Sequence, residues 1–331
     1  MPKIWERNRL YRLWRPGQDF LLRCFYAPLR QEGTYPEDGP AVILAPNHTN
    51  TLLDPLVLLP GHPRIVFGAR QDVFKPGFIT WFLRSAGVLP ITRARDGLKN
   101  VANNLGTLSE MEQCLDHGVP VCLFSEGTHR MMHSLQPVKK GIVRVALESA
   151  SRRPTVIVPV GIEYGDWLHP RCWCTVRYGT PIDVNAYVAQ YAGEPEAHLF
   201  QALEKAIFDG IAAQILYIPD DALYQIHWAP HAAGWSRRKP RPWLHLLTAP
   251  LFALAALLVL PVWGPGELLC RKVKDKAFHN SVRFLTLLFL LPLWLLVLGL
   301  LVAFTLPWFV ALPLWLYTAA SWFIFYEWLA K

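Results

Sequence analysis

His48 and Asp54 lie six positions apart in the polar stretch that follows an apolar run at 41–45 in this 331-residue chain. The apolar run predicts a strand, so both residues fall on the loop behind it. A neutral imidazole, whose pKa is ordinarily about 6.5, can accept a proton from an alcohol near neutral pH. A carboxylate on the other ring nitrogen fixes the tautomer and stabilises the imidazolium that forms. The two residues therefore predict general-base chemistry.

Three further clusters follow along the chain, at residues 87–93, 124–130 and 157–162. The first contains Arg93, whose planar guanidinium can bind a phosphate through two parallel hydrogen bonds in a way that lysine does not reproduce. The second places Glu126 directly after an apolar strand, where open α/β sheets hold their ligands. Its neighbour Gly127 allows the backbone to approach a ligand closely. The third cluster is apolar, has no reactive group, and indicates a core strand or the wall of a pocket.

Taken in order, the four clusters resemble the sequence blocks of the glycerolipid acyltransferase family, which moves fatty acyl groups from a thioester to the hydroxyl of a glycerol phosphate or a lysolipid. The resemblance implies that His48 is the general base and that Asp54 is its partner. It implies no metal and no cofactor, because the thioester of acyl-CoA or acyl carrier protein is itself the co-substrate. The substrate-binding residues that it implies are Asn47, Arg93, Glu126, Gly127, Thr128, Arg130 and Lys139.

The sequence departs from the family pattern at three places. Five residues separate the histidine from the aspartate where most members have four, and this spacing resembles a branch of glycerol-3-phosphate acyltransferases. Ser125 stands where proline is usual, and His129 stands where many members have arginine. We therefore expect phosphate recognition to move to Arg130 or to Lys139.

The expected function is acylation of the sn-1 hydroxyl of glycerol 3-phosphate by a membrane-bound enzyme of phospholipid biosynthesis. The alternative acceptor is 1-acylglycerol 3-phosphate or another lysolipid, which carries the same phosphate and needs a deeper pocket. A non-catalytic membrane scaffold with this fold would not require the reactive side chains. A thioesterase would not require the phosphate-binding arginines.

Short apolar runs alternate with helical stretches over residues 31–241, which predicts an α/β acyltransferase domain with a mostly buried mixed sheet flanked by helices. The expected strands are 41–45, 64–69, 88–92, 119–124, 155–164 and 174–178. The expected helices are 52–59, 76–86, 98–117, 138–151 and 194–216.

Residues 1–30 predict amphipathic helices in a membrane interface, one over 3–15 and a second over 18–29 after a break at Pro16-Gly17. The alternative is a helix that packs on the domain and keeps a solvated charged face. Residues 1–30 carry seven Lys and Arg against two Asp and Glu, whereas residues 31–241 carry equal numbers. The net charge of +8 therefore comes from the two ends of the chain, on either side of a neutral centre. This distribution fits binding to an anionic membrane surface better than binding to nucleic acid.

Residues 242–331 predict a membrane region, since no Asp, Glu, Lys or Arg occurs at 242–266 or at 284–326. The second stretch is long enough to fold back near Pro307, giving a transmembrane hairpin of 284–305 and 307–328. The segment 244–263 is either re-entrant or transmembrane, and basic residues on both of its flanks favour the re-entrant form. The six cysteines form no C-x-x-C pair and indicate a reduced compartment. We expect an integral membrane protein, of a bacterial inner membrane, with its active site on the cytoplasmic face.

Overall fold

A computed structural model describes residues 3–75, 77–91, 101–235 and 242–329 of the chain. Its strands are β1 (Leu29–Glu32), β2 (Ala41–Pro46), β3 (Val66–Arg70), β4 (Val88–Ile91), β5 (Val121–Cys122), β6 (Thr155–Tyr164), β7 (Cys174–Tyr178) and β8 (Ile182–Asp183). They form one sheet in the order β1-β7-β6-β2-β5-β3-β4, and β8 pairs with β6 beside that path. Strand β6 runs antiparallel to β7 and β8, and the other pairs are parallel. The predicted fold class, a mixed sheet flanked by helices, is confirmed.

The helices of the catalytic part are α1 (Arg9–Phe25), α2 (Leu53–Val57), α3 (Phe78–Ala86), α4 (Val101–Asp116), α5 (Lys140–Ala150), α6 (Val184–Gln190), α7 (Glu196–Ala212) and α8 (Tyr224–Trp235). Three longer helices complete the chain, α9 (Pro242–Lys272), α10 (His279–Thr305) and α11 (Trp308–Leu329).

The central strands are buried on both faces, as their unbroken apolar sequences require. All six residues of β2 are buried, and successive side chains point to opposite sides of the sheet. Ile43 joins a core that is closed by α4, α5 and α7. Its neighbour Leu44 joins a second core, which contains residues of α1 and α2 and also residues of α9, α10 and α11. The sheet is therefore the middle layer, and the apolar C-terminal helices contribute to one of its two outer layers.

The N-terminal segment differs from the prediction of two helices. A single helix, α1, runs through Pro16, and Asn8 caps its start by accepting a hydrogen bond from the Tyr11 N–H at 2.9 Å. The proline removes only one hydrogen bond of the helix, and the next turn is fixed because Arg15 bonds the carbonyl oxygens of Leu59 and His62. The second helix expected over 18–29 is also too long, because α1 ends at Phe25 and Leu29 already belongs to the edge strand β1.

Three helices of the C-terminal region are long and apolar enough to cross a membrane, over Leu246–Lys272, Lys276–Thr305 and Trp308–Trp328. Their outer surfaces carry exposed apolar side chains such as Leu293, Phe304 and Trp308. The segment 244–263, for which the sequence favours a re-entrant form, lies within the continuous helix α9, which runs through Pro250 and Pro261. A proline removes one backbone hydrogen bond of its helix. Within an apolar bundle, groups on neighbouring helices can satisfy the backbone oxygen that is left free.

The C-terminal helices pack directly against the catalytic part of the chain. Phe25 of α1 makes aromatic contacts with Phe284 of α10 and Trp322 of α11, at ring-centroid distances of 5.3 and 5.4 Å. Arg171 forms an ion pair with Glu327 at 2.9 Å. These contacts tie α10 and α11 to the layer that lies beneath the candidate site.

Candidate active site

The site begins where β2 ends, because the next residue, Asn47, extends the pairing of β2 with β6. The Asn47 side chain is buried, and its amide donates to the carbonyl oxygen of Ile162 at 3.0 Å and accepts from the Ile162 N–H at 2.7 Å. The structure thus places Asn47 beneath the site as a backbone anchor. It fixes the point at which His48 leaves the sheet.

His48 and Asp54 are brought together by the loop between them. Nδ1 of His48 lies 2.7 Å from Oδ2 of Asp54, which is fully buried near the start of α2. Within this loop Thr51 has a positive φ of 44°, an uncommon conformation for a β-branched residue. The hydroxyl of Thr51 lies 2.8 Å from that of Ser281 on α10, so a contact with the C-terminal region supports the unusual turn.

Asp54 is held by several donors besides the histidine. Its Oδ2 accepts the backbone N–H groups of Thr49 and Asn50, both at 2.8 Å, and its Oδ1 accepts the Tyr164 hydroxyl at 2.7 Å. Burial and the nearby Asp54 charge raise the pKa of Tyr164 well above its usual range, so the phenol remains a donor. The carboxylate can therefore compensate an imidazolium without moving.

The imidazole of His48 is oriented for proton transfer. It stacks on Phe124 at a centroid distance of 4.2 Å, and its side chain is 18% exposed. Because Nδ1 is engaged by Asp54, Nε2 is the ring nitrogen left to take a proton from a substrate hydroxyl. Phe124 gave no chemical signal in the sequence, and only the three-dimensional contact reveals its role.

Glu126 braces the backbone around the histidine. It is buried, its Oε1 accepts the His48 N–H at 2.9 Å, and its Oε2 accepts the Gln136 N–H at 3.0 Å. Burial raises the pKa of this carboxyl, and the two backbone hydrogen bonds act in the opposite direction. The family resemblance implies that Glu126 binds substrate, and the structure places both of its carboxylate oxygens on backbone N–H groups. Thr128 closes the same loop, because its hydroxyl lies 3.0 Å from Oε1 of Gln136.

The predicted phosphate ligands are in different situations. Arg93 lies outside the described residues. The Arg130 guanidinium pairs with Asp220 and bonds the Ser134 hydroxyl at 2.7 Å, so it is already engaged. Lys139 is exposed, and its side-chain stem passes Gly127, whose φ of +67° and close approach to that stem exclude a larger residue. Within the described residues, no carboxylate lies within ion-pair distance of the Lys139 ammonium group.

His129 does not point to solvent alone. Its Nε2 lies 2.8 Å from Oδ2 of Asp275, and its ring lies 5.7 Å from that of His48. Asp275 belongs to the connection between α9 and α10. Because it is 146 positions from His129 in the chain, the sequence did not predict this contact. The hydrogen-bonded His129 holds the pKa of the Asp275 carboxyl below its usual value.

The arrangement as a whole defines a class of protein. A histidine–carboxylate pair lies at the carboxyl edge of an α/β sheet, with cationic groups beside it and apolar helices beneath it. In the described ranges, no group of three or more His, Cys, Asp or Glu side chains could hold a metal ion. Such a site can perform general-base transfer of an acyl group to a hydroxyl.

Comparison with known proteins matches part of the chain to an acyltransferase family model. The family model described as "Acyltransferase" matches residues 29–163, a range that includes His48, Asp54 and Glu126. An uncharacterized acyltransferase of Schizosaccharomyces pombe is 20% identical over 60% of this chain, and the match spans 43% of that relative's length. The solved 1-acyl-sn-glycerophosphate acyltransferase of Thermotoga maritima is 20% identical, with a TM-score of 0.42, over 62% of this chain and 80% of that one. The family-model match covers less than half of the chain and contains all four predicted sequence blocks, so it supports their resemblance to the glycerolipid acyltransferases.

Proposed function

We propose that the protein transfers a fatty acyl group from acyl-CoA or acyl carrier protein to the sn-1 hydroxyl of glycerol 3-phosphate. The observation that carries this proposal is the 2.7 Å contact between His48 and Asp54 inside a segment of the acyltransferase family. The phosphate-bearing acceptor is supported by the five-residue spacing of the pair and by the exposed ammonium group of Lys139.

The proposed reaction needs one base and no covalent enzyme intermediate. Nε2 of His48 removes the proton from the acceptor hydroxyl while the oxygen attacks the thioester carbonyl. The resulting tetrahedral intermediate expels the thiolate, which takes the proton back from the imidazolium, so an ester and a free thiol are formed. Asp54 stabilises the positive charge of the imidazolium during this cycle, and its fixed donors keep the ring in one orientation.

A second acceptor, 1-acylglycerol 3-phosphate, is favoured by one specific observation. The catalytic loop touches the membrane region itself, since Thr51 contacts Ser281 at the start of α10. A lipid acceptor that lies among apolar helices would reach the base at this point without exposing its acyl chain to water. The two acceptors share the phosphate and the attacking hydroxyl chemistry.

The experiment that tests this function is an acyl-transfer assay on the full-length protein in detergent. Radiolabelled acyl-CoA and acyl carrier protein are offered with glycerol 3-phosphate, 1-acylglycerol 3-phosphate, glycerol or water, and the His48→Ala variant is the control. Transfer to glycerol 3-phosphate that is lost in the variant is expected. Transfer only to the lysolipid would establish the second acceptor, and hydrolysis alone would contradict both.

We infer that the protein is integral to a membrane, a bacterial inner membrane in particular, with its active site facing the cytoplasm. Three apolar helices with exposed leucine and phenylalanine side chains support insertion into a membrane. The supply of acyl donors from the cytoplasm supports an active site on that face. We expect alkaline carbonate and high salt to leave the protein in the membrane fraction. Release by either treatment would indicate a peripheral protein that is held by charge.

A further inference from the structure

The segment that joins α9 to α10 lies against both loops of the active site. We name residues 273–278 the α9–α10 connection. On one side, the Thr51 hydroxyl of the catalytic loop donates to the carbonyl oxygen of Ala277 at 3.2 Å. On the other side, the Phe278 ring lies nearly perpendicular to the His129 ring at a centroid distance of 5.3 Å, and Asp275 bonds Nε2 of His129. The connection therefore spans the gap between the two loops that carry His48 and Glu126.

The contact between His129 and Asp275 holds a carboxylate oxygen against a ring nitrogen of His129. Asp275 is ionised, so Nε2 of His129 must donate the hydrogen bond of 2.8 Å. The His129 ring is 5.7 Å from the His48 ring, close enough for one small substrate to reach both. A phosphate group has the same acceptor chemistry as the carboxylate and carries more charge.

Resting on the proposed function, we propose that the acceptor phosphate binds at His129 in place of the Asp275 carboxylate, which rotates away while the α9–α10 connection stays where it is. The Asp275 side chain is 52% exposed and the His129 side chain 25%, so water can solvate the released carboxylate. The residues on either side of Asp275, Lys274 and Lys276, are exposed cations, which keep the vicinity attractive to an anion after the carboxylate leaves.

The pair is weak enough to be exchanged. Ion pairs with comparable exposure contribute little to stability, so a substrate anion needs to overcome only a small competing interaction. The other oxygen of Asp275 accepts the Ala277 N–H at 3.0 Å, a local turn contact that can persist when the carboxylate rotates away from His129. Removing the carboxylate should therefore uncover the anion site while the connection keeps its Thr51 contact.

The test uses inorganic phosphate as the probe, so that anion binding is measured apart from turnover. Isothermal titration of the full-length protein in detergent compares the wild type, Asp275→Asn, His129→Gln and the double variant. Glu148→Gln is the matched control, because it also removes one carboxylate from an ion pair, with 53% exposure, on α5. Acceptor and donor KM values are measured on the same samples.

We expect Asp275→Asn to tighten phosphate binding and to lower the acceptor KM by about two- to fivefold, the scale of an exposed ion pair. The donor KM should stay as in the wild type, and Glu148→Gln should change neither value. The gain should vanish when His129→Gln is added. Phosphate binding that Asp275→Asn leaves unchanged or weakens, or a gain that persists without His129, would overturn the proposed displacement. Failure of acyl transfer to every phosphate acceptor, with the titration behaving as expected, would instead overturn the proposed function.

Discussion

Two histidine–carboxylate pairs lie side by side in this molecule. Their nitrogen–oxygen distances are nearly equal, but their burial and their position in the chain differ. His48 and Asp54 are 2.7 Å apart, and His129 and Asp275 are 2.8 Å apart. The carboxylate of the first pair is completely buried, whereas that of the second is 52% exposed. The first carboxylate comes from the same loop as its histidine, and the second comes from the connection between two apolar helices.

The difference teaches that the surroundings of a contact decide what it can do. Asp54 accepts two backbone N–H groups and the Tyr164 hydroxyl in addition to the histidine, so it stays in place during a reaction. Asp275 has one backbone donor besides its histidine, and it faces water. A fully bonded carboxylate suits a partner of the base, and a loosely bonded one suits a place that a substrate anion can take.

The largest effect is expected from the substitution that breaks the first pair. Asp54→Asn removes the charge that stabilises the imidazolium and frees the ring to adopt the other tautomer. We expect kcat to fall by about two to four orders of magnitude, because general-base catalysis typically contributes a rate acceleration of that size. Tyr164→Phe keeps the charge and removes one donor, so its loss should be much smaller. Circular dichroism would check that both variants fold, and a folded Asp54→Asn variant with near-normal turnover would contradict the assigned role of Asp54.

Sequence reasoning could predict this first pair but not the second. His48 and Asp54 are close in the chain and follow an apolar strand. They also lie in the first of four sequence blocks whose order along the chain resembles that of a known family. His129 and Asp275 are 146 positions apart, and no local pattern links them. Tyr164 lies in the strand predicted over 155–164, and alternation along that strand places it on the face of Ile162 without predicting its hydrogen bond to Asp54.

The fold shows the same division between local and long-range information. The buried strands β2 and β6 were predicted from apolar runs, because burial on both faces leaves a continuous signal. The path of α1 through Pro16 was not predicted, since the contacts of Arg15 with Leu59 and His62 come from another segment. The docking of α10 on the catalytic loop likewise depends on Thr51 and Ser281, whose meeting no periodicity reveals.

A smaller loss is expected at Glu126, which supports the first pair through the backbone. Glu126→Gln keeps the shape but replaces one oxygen by an NH2 group, which then faces the N–H of either His48 or Gln136. A buried N–H without an acceptor is costly, so the loop should shift and kcat should fall by about ten- to a hundredfold. Steady-state kinetics measures this loss. Gln113→Glu, a substitution at an exposed position of α4, is the control for effects of substitution and purification that do not involve the site. Glu126→Gln activity equal to the wild type would mean that this brace does not position the base.

The smallest effects are expected among the cations, where they sharpen the second half of the comparison. Lys139→Met keeps the stem that passes Gly127 and removes the ammonium group, so we expect the acceptor KM to rise about five- to tenfold with little change in the donor KM. Arg130→Met should raise the acceptor KM less, because Asp220 already pairs with that guanidinium. Lys140→Met, an equal change of charge at the next exposed position, is the matched control.

The comparison of these variants decides which cation completes the anion site around His129. If Arg130→Met raises the acceptor KM more than Lys139→Met, then Asp220 must release its arginine when the acceptor arrives, and exchange of a carboxylate for a phosphate would extend to a second pair. If Lys139→Met has the larger effect, the acceptor phosphate displaces Asp275 alone and meets a lysine that is already exposed. An equal rise for Lys140→Met would instead assign the effect to the net charge of this surface, and Lys139 would lose its place in the site.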